Sequence, residues 1–150
     1  MLKIAILAGG RGKTAPEQAL AASYLERARD TGKALGFGGF VLTEFDERQP
    51  QRLSEALSAS AFAVLLDERG EAMGSVAFAT WLAQLRDQGV GQVTFGIGAA
   101  DGFGAQDRAR ARKLLSFGPQ TWPHTLVRTM LAEQLFRAMT ILAGHPYHRV

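Results

Sequence analysis

At 150 residues, 47% hydrophobic and 21% charged, the chain has the length of one domain and the composition of a folded globular protein. It holds no apolar run of the roughly 18–20 residues that span a bilayer, and its lack of cysteine excludes disulfides and thiolate metal sites and fits a cytoplasmic protein. The net charge of +3 is unevenly placed, with 10 Lys/Arg against 11 Asp/Glu in residues 1–100 and 7 against 3 in residues 101–150, so a polyanionic partner is expected at the C-terminal end.

Strand and helix patterns alternate along the chain. Leu2–Ala8 reads as a buried strand ending at Gly9-Gly10, too short and without the cleavage site of a signal segment. Pro16 suits the first turn of a helix to about Arg29. GFGG (36–39) breaks the chain before a second strand, Phe40–Phe45. Gln51–Ser60 reads as helix, and Phe62–Leu66 as a third strand ending at Asp67. Ser75 is placed to cap a helix over Val76–Gln88, stopped by Gly89 and Gly91. Gln92–Ile97 is a fourth strand, residues 105–112 a basic helix, and Lys113–Phe117 a short fifth strand. The loop GPQTWP (118–123) then feeds a long last helix to about Leu142. This alternation predicts a single α/β domain over residues 1–150, a mostly parallel sheet flanked by helices.

On the last helix Val127, Leu131, Leu135, Met139 and Leu142 recur at helical spacing as a core or dimer stripe. Arg128, Glu133 and Arg137 read as lying off it, the last two as an i, i+4 surface pair. AGGRGKT (8–14) has the setting of a phosphate-binding loop and FAVLLD (62–67) that of a magnesium-holding strand. The first glycine of the phosphate-loop pattern is replaced by Leu7, however, which leaves nucleotide hydrolysis a distant third reading. The histidines His145 and His148 lack the further ligands a zinc site needs, so no metal is expected. Their tail instead has the His, Tyr and Arg groups that stack on a base and contact phosphate.

LLDERG (65–70), TFGIGAADG (94–102), LSFGPQTWPH (115–124) and LVRTMLAEQLFRAMTILAGHPYHR (126–149) together carry a resemblance. In their order and spacing the chain resembles the small bacterial SPOUT-class methyltransferases that methylate N3 of a pseudouridine in 23S ribosomal RNA. That resemblance implies an α/β sheet with a deep C-terminal trefoil knot, an exception to unknotted topology. It also implies a homodimer, S-adenosylmethionine as cofactor and 23S rRNA, within an assembled ribosome, as partner.

Carried over by position, the cofactor site would use Leu66 and Asp67, Gly98 and Ala99, and Gly118, Pro119, Gln120, Thr121, Trp122 and Pro123. An imide nitrogen becomes a good nucleophile only as its proton leaves. His148 is the expected residue for handling that proton, Arg149 for an anionic oxygen or phosphate, and Tyr147 for stacking on the base. His124, Arg128, Arg137, His145 and Arg149 are the expected RNA contacts. Two departures stand out: Ala99 where the family has a second glycine, and Gly118-Pro119-Gln120 in the cofactor loop. They imply the alternative of a knotted RNA-binding protein with weakened or lost methyl transfer.

Overall fold

The computed structural model of the protein describes residues 1–12 and 15–149. Five strands, β1 (Leu2–Gly9), β2 (Phe37–Phe45), β3 (Ala63–Ala72), β4 (Gln92–Ile97) and β5 (Lys113–Ser116), form one sheet in the order β2-β1-β4-β3-β5. Every neighbouring pair is parallel, as the alternating pattern predicts. The helices are α1 (Pro16–Gly32), α2 (Pro50–Ser58), α3 (Ser75–Asp87), α4 (Ala105–Arg110) and α5 (His124–Ala143). No helix of the described residues is long and apolar enough to cross a membrane.

A parallel sheet is stable only when both faces are covered, and the period of two along each strand divides the core accordingly. Ile4, Ile6, Ala8, Val64 and Leu115 join the larger cluster, with Leu25 of α1, Leu82 of α3 and Leu131, Leu135 and Met139 of α5. The alternate residues Leu7, Leu65 and Leu114 meet Leu53 and Leu57 of α2 in a smaller one. Helix α5 leaves the edge strand β5, yet it lies mainly along α1 and α3.

Several expected boundaries move for identifiable reasons. Strand β2 begins at Phe37, so most of GFGG lies inside it; Gly36, at φ 85°, is the turn. A register shift against β1 between Ile4 and Ala5 accommodates the bulge at Phe40, which has φ 56°. Ser75 is not a cap: Gly74 holds that position, and the Ser75 hydroxyl donates to Gln134 of α5 at 2.7 Å. Strand β3 continues past Asp67 to Ala72, because it pairs with β5 again at Glu71 after a break following Leu66.

That break wraps the 67–70 segment closely around β5. A Cβ on Gly70 would lie 2.5 Å from the carbonyl carbon of Leu114 and 2.7 Å from the Leu115 nitrogen, where only backbone can give way. Gly70→Ala is therefore expected to cost about 2–3 kcal/mol through backbone displacement. Thermal unfolding checks this; an unchanged melting temperature would contradict the close approach.

Candidate active site

The loop that interrupts β3 after Leu66 and the loops after β4 and β5 meet at the same end of the sheet, and a crevice outside strand C-termini is the usual ligand position in parallel sheets. Here they enclose a cleft of about 770 Å³, within the range of small-molecule sites. Its wall includes Leu66 and Asp67 from the first loop, Gly98 and Ala99 from the second, and Gly118, Gln120, Thr121, Trp122 and Pro123 from the third. Of the residues assigned to the methyl donor, Pro119 alone is not part of that wall.

Each loop is held by its own short-range bonds. Asp67 accepts the Arg69 amide at 2.9 Å and forms an ion pair with Arg108 at 3.3 Å. Arg108 also donates to the Phe103 carbonyl, tying the first loop to the second. In the third, the Ser116 hydroxyl accepts the Gly118 amide at 3.0 Å. Gly118 itself sits at φ 107°, a conformation open to glycine and strained for other residues. Ala99 has no positive φ, so the methyl that replaces a glycine there is unstrained.

His124 opens α5 and lines the same cleft. Its ring lies over Gly10, with Cε1 3.1 Å from where a Cβ on that glycine would stand. Its Nδ1 is buried and has no hydrogen-bond partner among the described residues. It lies 3.6 Å from the same Cβ position on Gly10, without surface open to the cleft.

Arg128 overturns the expectation that it meets RNA: it is 4% exposed. Counted along α5 it shares a face with Ala132, Leu135 and Met139, so its guanidinium is carried inward. There it donates to the carbonyls of Gly9 at 3.2 Å and Gly10 at 2.6 Å, and to Glu44 at 2.5 Å. Glu44 accepts the Gly12 amide as well, at 2.5 Å. Among the described residues of AGGRGKT, the amide that would cradle phosphate is thus bonded to a carboxylate; Lys13 and Thr14 lie outside the described residues.

Burial works to raise the Glu44 carboxyl, but the Gly12 amide and the Arg128 guanidinium outweigh it and hold the group below its ordinary value of 4.5. A depressed folded-state value contributes stability above the unfolded value and loses it as pH falls through the folded one. Arg128→Met is expected to cost roughly 2–3 kcal/mol at neutral pH, less than a fully buried pair because Glu44 is partly exposed. The difference from wild type should shrink below about pH 4. Denaturant unfolding at both pH values checks this, and a pH-independent difference would contradict the ion pair.

The expected catalytic tail lies elsewhere. Tyr147 rests edge-on against Phe136 with ring centroids 4.7 Å apart, about 18 Å along α5 from His124 at 1.5 Å per residue. Burial first, then the Glu133 carboxylate and the Tyr24 hydroxyl, push the Tyr147 phenol above its ordinary value. His145 is exposed and accepts the Tyr147 amide on Nδ1 at 3.1 Å, closing the turn after α5; Arg149 is exposed. Arg137 holds Glu133 at 2.7 Å, as the i, i+4 spacing predicts, and reaches His148 at 3.1 Å. One chain therefore carries a cleft near one end of α5 and a His-Tyr-Arg tail near the other.

Sequence reasoning did not place Arg108 in the cleft. Read as one cation of the basic helix over 105–112, it pairs with an acid 41 residues away, and no local spacing signals such a contact.

A family model described as "Predicted SPOUT methyltransferase" matches residues 2–148. The chain is 47% identical over 153 residues to the ribosomal RNA large subunit methyltransferase H of Phenylobacterium zucineum, with 99% of each covered. It is 45% identical over 159 residues to that of Rhodopseudomonas palustris, again over 99% of each. Among solved structures it is similar to a probable methyltransferase from Bordetella pertussis Tohama I, with TM-score 0.52 and 15% identity over 92% of this chain and 93% of that one. A probable methylase family protein from Haemophilus influenzae gives TM-score 0.53 and 9% identity, over 99% of this chain and 70% of that one. These two likenesses are of fold.

Proposed function

The chain belongs to the SPOUT methyltransferase family, and on that premise we propose that it methylates N3 of a pseudouridine in 23S ribosomal RNA, with S-adenosylmethionine as donor. The observation that carries this reading is the convergence of three strand-end loops on one nucleoside-sized cleft. The names of the full-length relatives supply the substrate class. The mixed wall of that cleft, with Asp67 and Arg108 beside Leu66, Ile97 and Leu115, suits a ligand with a purine edge and an amino-acid end.

When bound, S-adenosylmethionine supplies an electrophilic methyl group on a sulfonium. The chain's own part is to bind, orient and exclude water. Loops 66–69, 97–103 and 117–124 hold the donor, with Asp67 and Arg108 keeping the first two loops in register. His148, Arg149 and Tyr147 meet the target base, while His124 and His145 stand at the two ends of α5 where RNA would pass, and Arg137 lies beside the tail.

Tail and cleft lie too far apart in one chain to share a reacting atom, which supports a homodimer in which the tail of one subunit faces the cleft of its partner. Threading of the C-terminal chain into a trefoil knot is supported by the tight wrapping of Gly70 around Leu114 and Leu115, and by the return of α5 from the edge strand to α1. A ribosomal RNA substrate supports a place in the cytoplasm, on ribosomes.

Labelled S-adenosylmethionine, incubated with the protein and ribosomes that lack the modification, is expected to label 23S RNA; unlabelled RNA would contradict the proposal. An RNA-binding chain without methyl transfer, the reading Ala99 raised, would bind ribosomes and give no heat with S-adenosylmethionine in calorimetry.

A further inference from the structure

We infer that Arg137, held by Glu133, fixes the neutral His148 ring with Nδ1 as acceptor, so that His148 meets the target base as a hydrogen-bond donor through Nε2–H and not as a proton acceptor. The inference rests on the proposed role of the tail and assigns Arg137 as its positioning residue.

Arg137 is fixed on two sides. Its Nε donates to Glu133 at 2.7 and 3.3 Å, one turn earlier on α5. Its guanidinium lies over the Tyr147 ring, 4.8 Å from the centroid. Tyr147 is itself set against Phe136, whose ring carries the Arg27 guanidinium at 4.2 Å. The remaining direction is toward His148, whose Nδ1 lies 3.1 Å from one terminal nitrogen of Arg137.

A guanidinium has donors and no acceptor. The His148 nitrogen facing it must therefore present its lone pair, and the proton of the neutral ring is on Nε2. A protonated ring would set N–H against N–H and place two positive charges at contact, where among the described residues Glu133 alone pairs with Arg137. The one ring lone pair able to take a proton from substrate is already bonded. A fixed Nε2–H can still act on the reaction. When the imide N–H bond breaks, its electron pair stays on the base, its proton goes to water, and the charge spreads onto the flanking carbonyl oxygens. A preorganised donor aimed at one of them stabilises that anion. Arg137, expected to contact RNA, is thus engaged within the chain.

The test compares His148→Gln, which keeps a donor near the Nε2 position, with His148→Ala, and Arg137→Lys with Arg137→Met. All are measured as the full-length protein by steady-state methyl transfer to ribosomes and by nitrogen NMR of the imidazole. His148→Gln should retain activity within about tenfold and His148→Ala should fall by about a hundredfold or more, mainly in kcat. Arg137→Met should release the single tautomer and lower kcat about tenfold, with KM little changed and part of the loss recovered by Arg137→Lys. Equal losses for His148→Gln and His148→Ala, a proton on Nδ1 in the wild type, or an unaltered imidazole spectrum in Arg137→Met would overturn the assignment. The NMR result stands whether or not the wild type labels 23S RNA, so failure of the methylation reading is distinguishable from failure of this one.

Discussion

Truncation after Gly144 is expected to lower methyl transfer by about a thousandfold or more while leaving S-adenosylmethionine binding within a few-fold of wild type. The truncated segment contains Tyr147, His148 and Arg149, none of which lines the cleft of its own chain. Its loss removes the Tyr147 contact with Phe136 from the outer side of α5 and leaves Leu131, Leu135 and Met139 buried as before. Calorimetry with the donor and steady-state transfer to ribosomes separate the two effects. Loss of donor binding on truncation would mean that the tail builds the cleft and does not merely face it.

The second large effect lies at Gly98. A Cβ there would stand 3.0 Å from the backbone of Gly102, across a turn that shapes one wall of the cleft. Valine adds two further carbons to that contact, and the turn has only backbone to move. Gly98→Val is expected to weaken donor binding by about a hundredfold or more, with the melting temperature falling modestly because the turn lies outside the main core. Donor affinity within a few-fold of wild type would contradict the placement of the cleft. The two variants also complement each other in a shared-site dimer. Mixed and re-equilibrated in equal amounts, they should recover about a quarter of wild-type activity, since half the dimers are hybrids with one intact site of two. No recovery would favour a site contained in one chain.

Much of this was legible in the residues, for reasons that differ by region. Strand β4 is found where its apolar run predicts, because it is central and buried on both faces, and its ends are set by Gly91 and Gly98. The cofactor loops were legible through the resemblance, since LLDERG, TFGIGAADG and LSFGPQTWPH are contiguous blocks that the parallel sheet brings to one end. The Glu133–Arg137 pair followed from helical spacing.

What escaped were contacts whose partners are remote in sequence. Arg128 was read as solvent-facing from its charge, although its helical position already lay on the face of Leu135 and Met139; the carbonyls and carboxylate that make its burial possible come from β1 and β2. The Asp67–Arg108 pair and the Ser75–Gln134 bond likewise join segments that only the fold brings together. Strand β2 was read too short because glycines mark a chain break in most settings, and here two of them, Gly38 and Gly39, sit in a bulged edge strand beside β1.

This chain is expected to place a methyl group on one pseudouridine of the large ribosomal RNA. That expectation is tested most directly by mass spectrometry of nucleosides from 23S RNA, after ribosomes lacking the modification have reacted with the protein and S-adenosylmethionine. One new nucleoside is expected, a pseudouridine carrying a methyl on N3, absent when the truncated or Gly98→Val protein is used alone. A methyl group on another base or on ribose, or none at all with the wild-type chain, would contradict it.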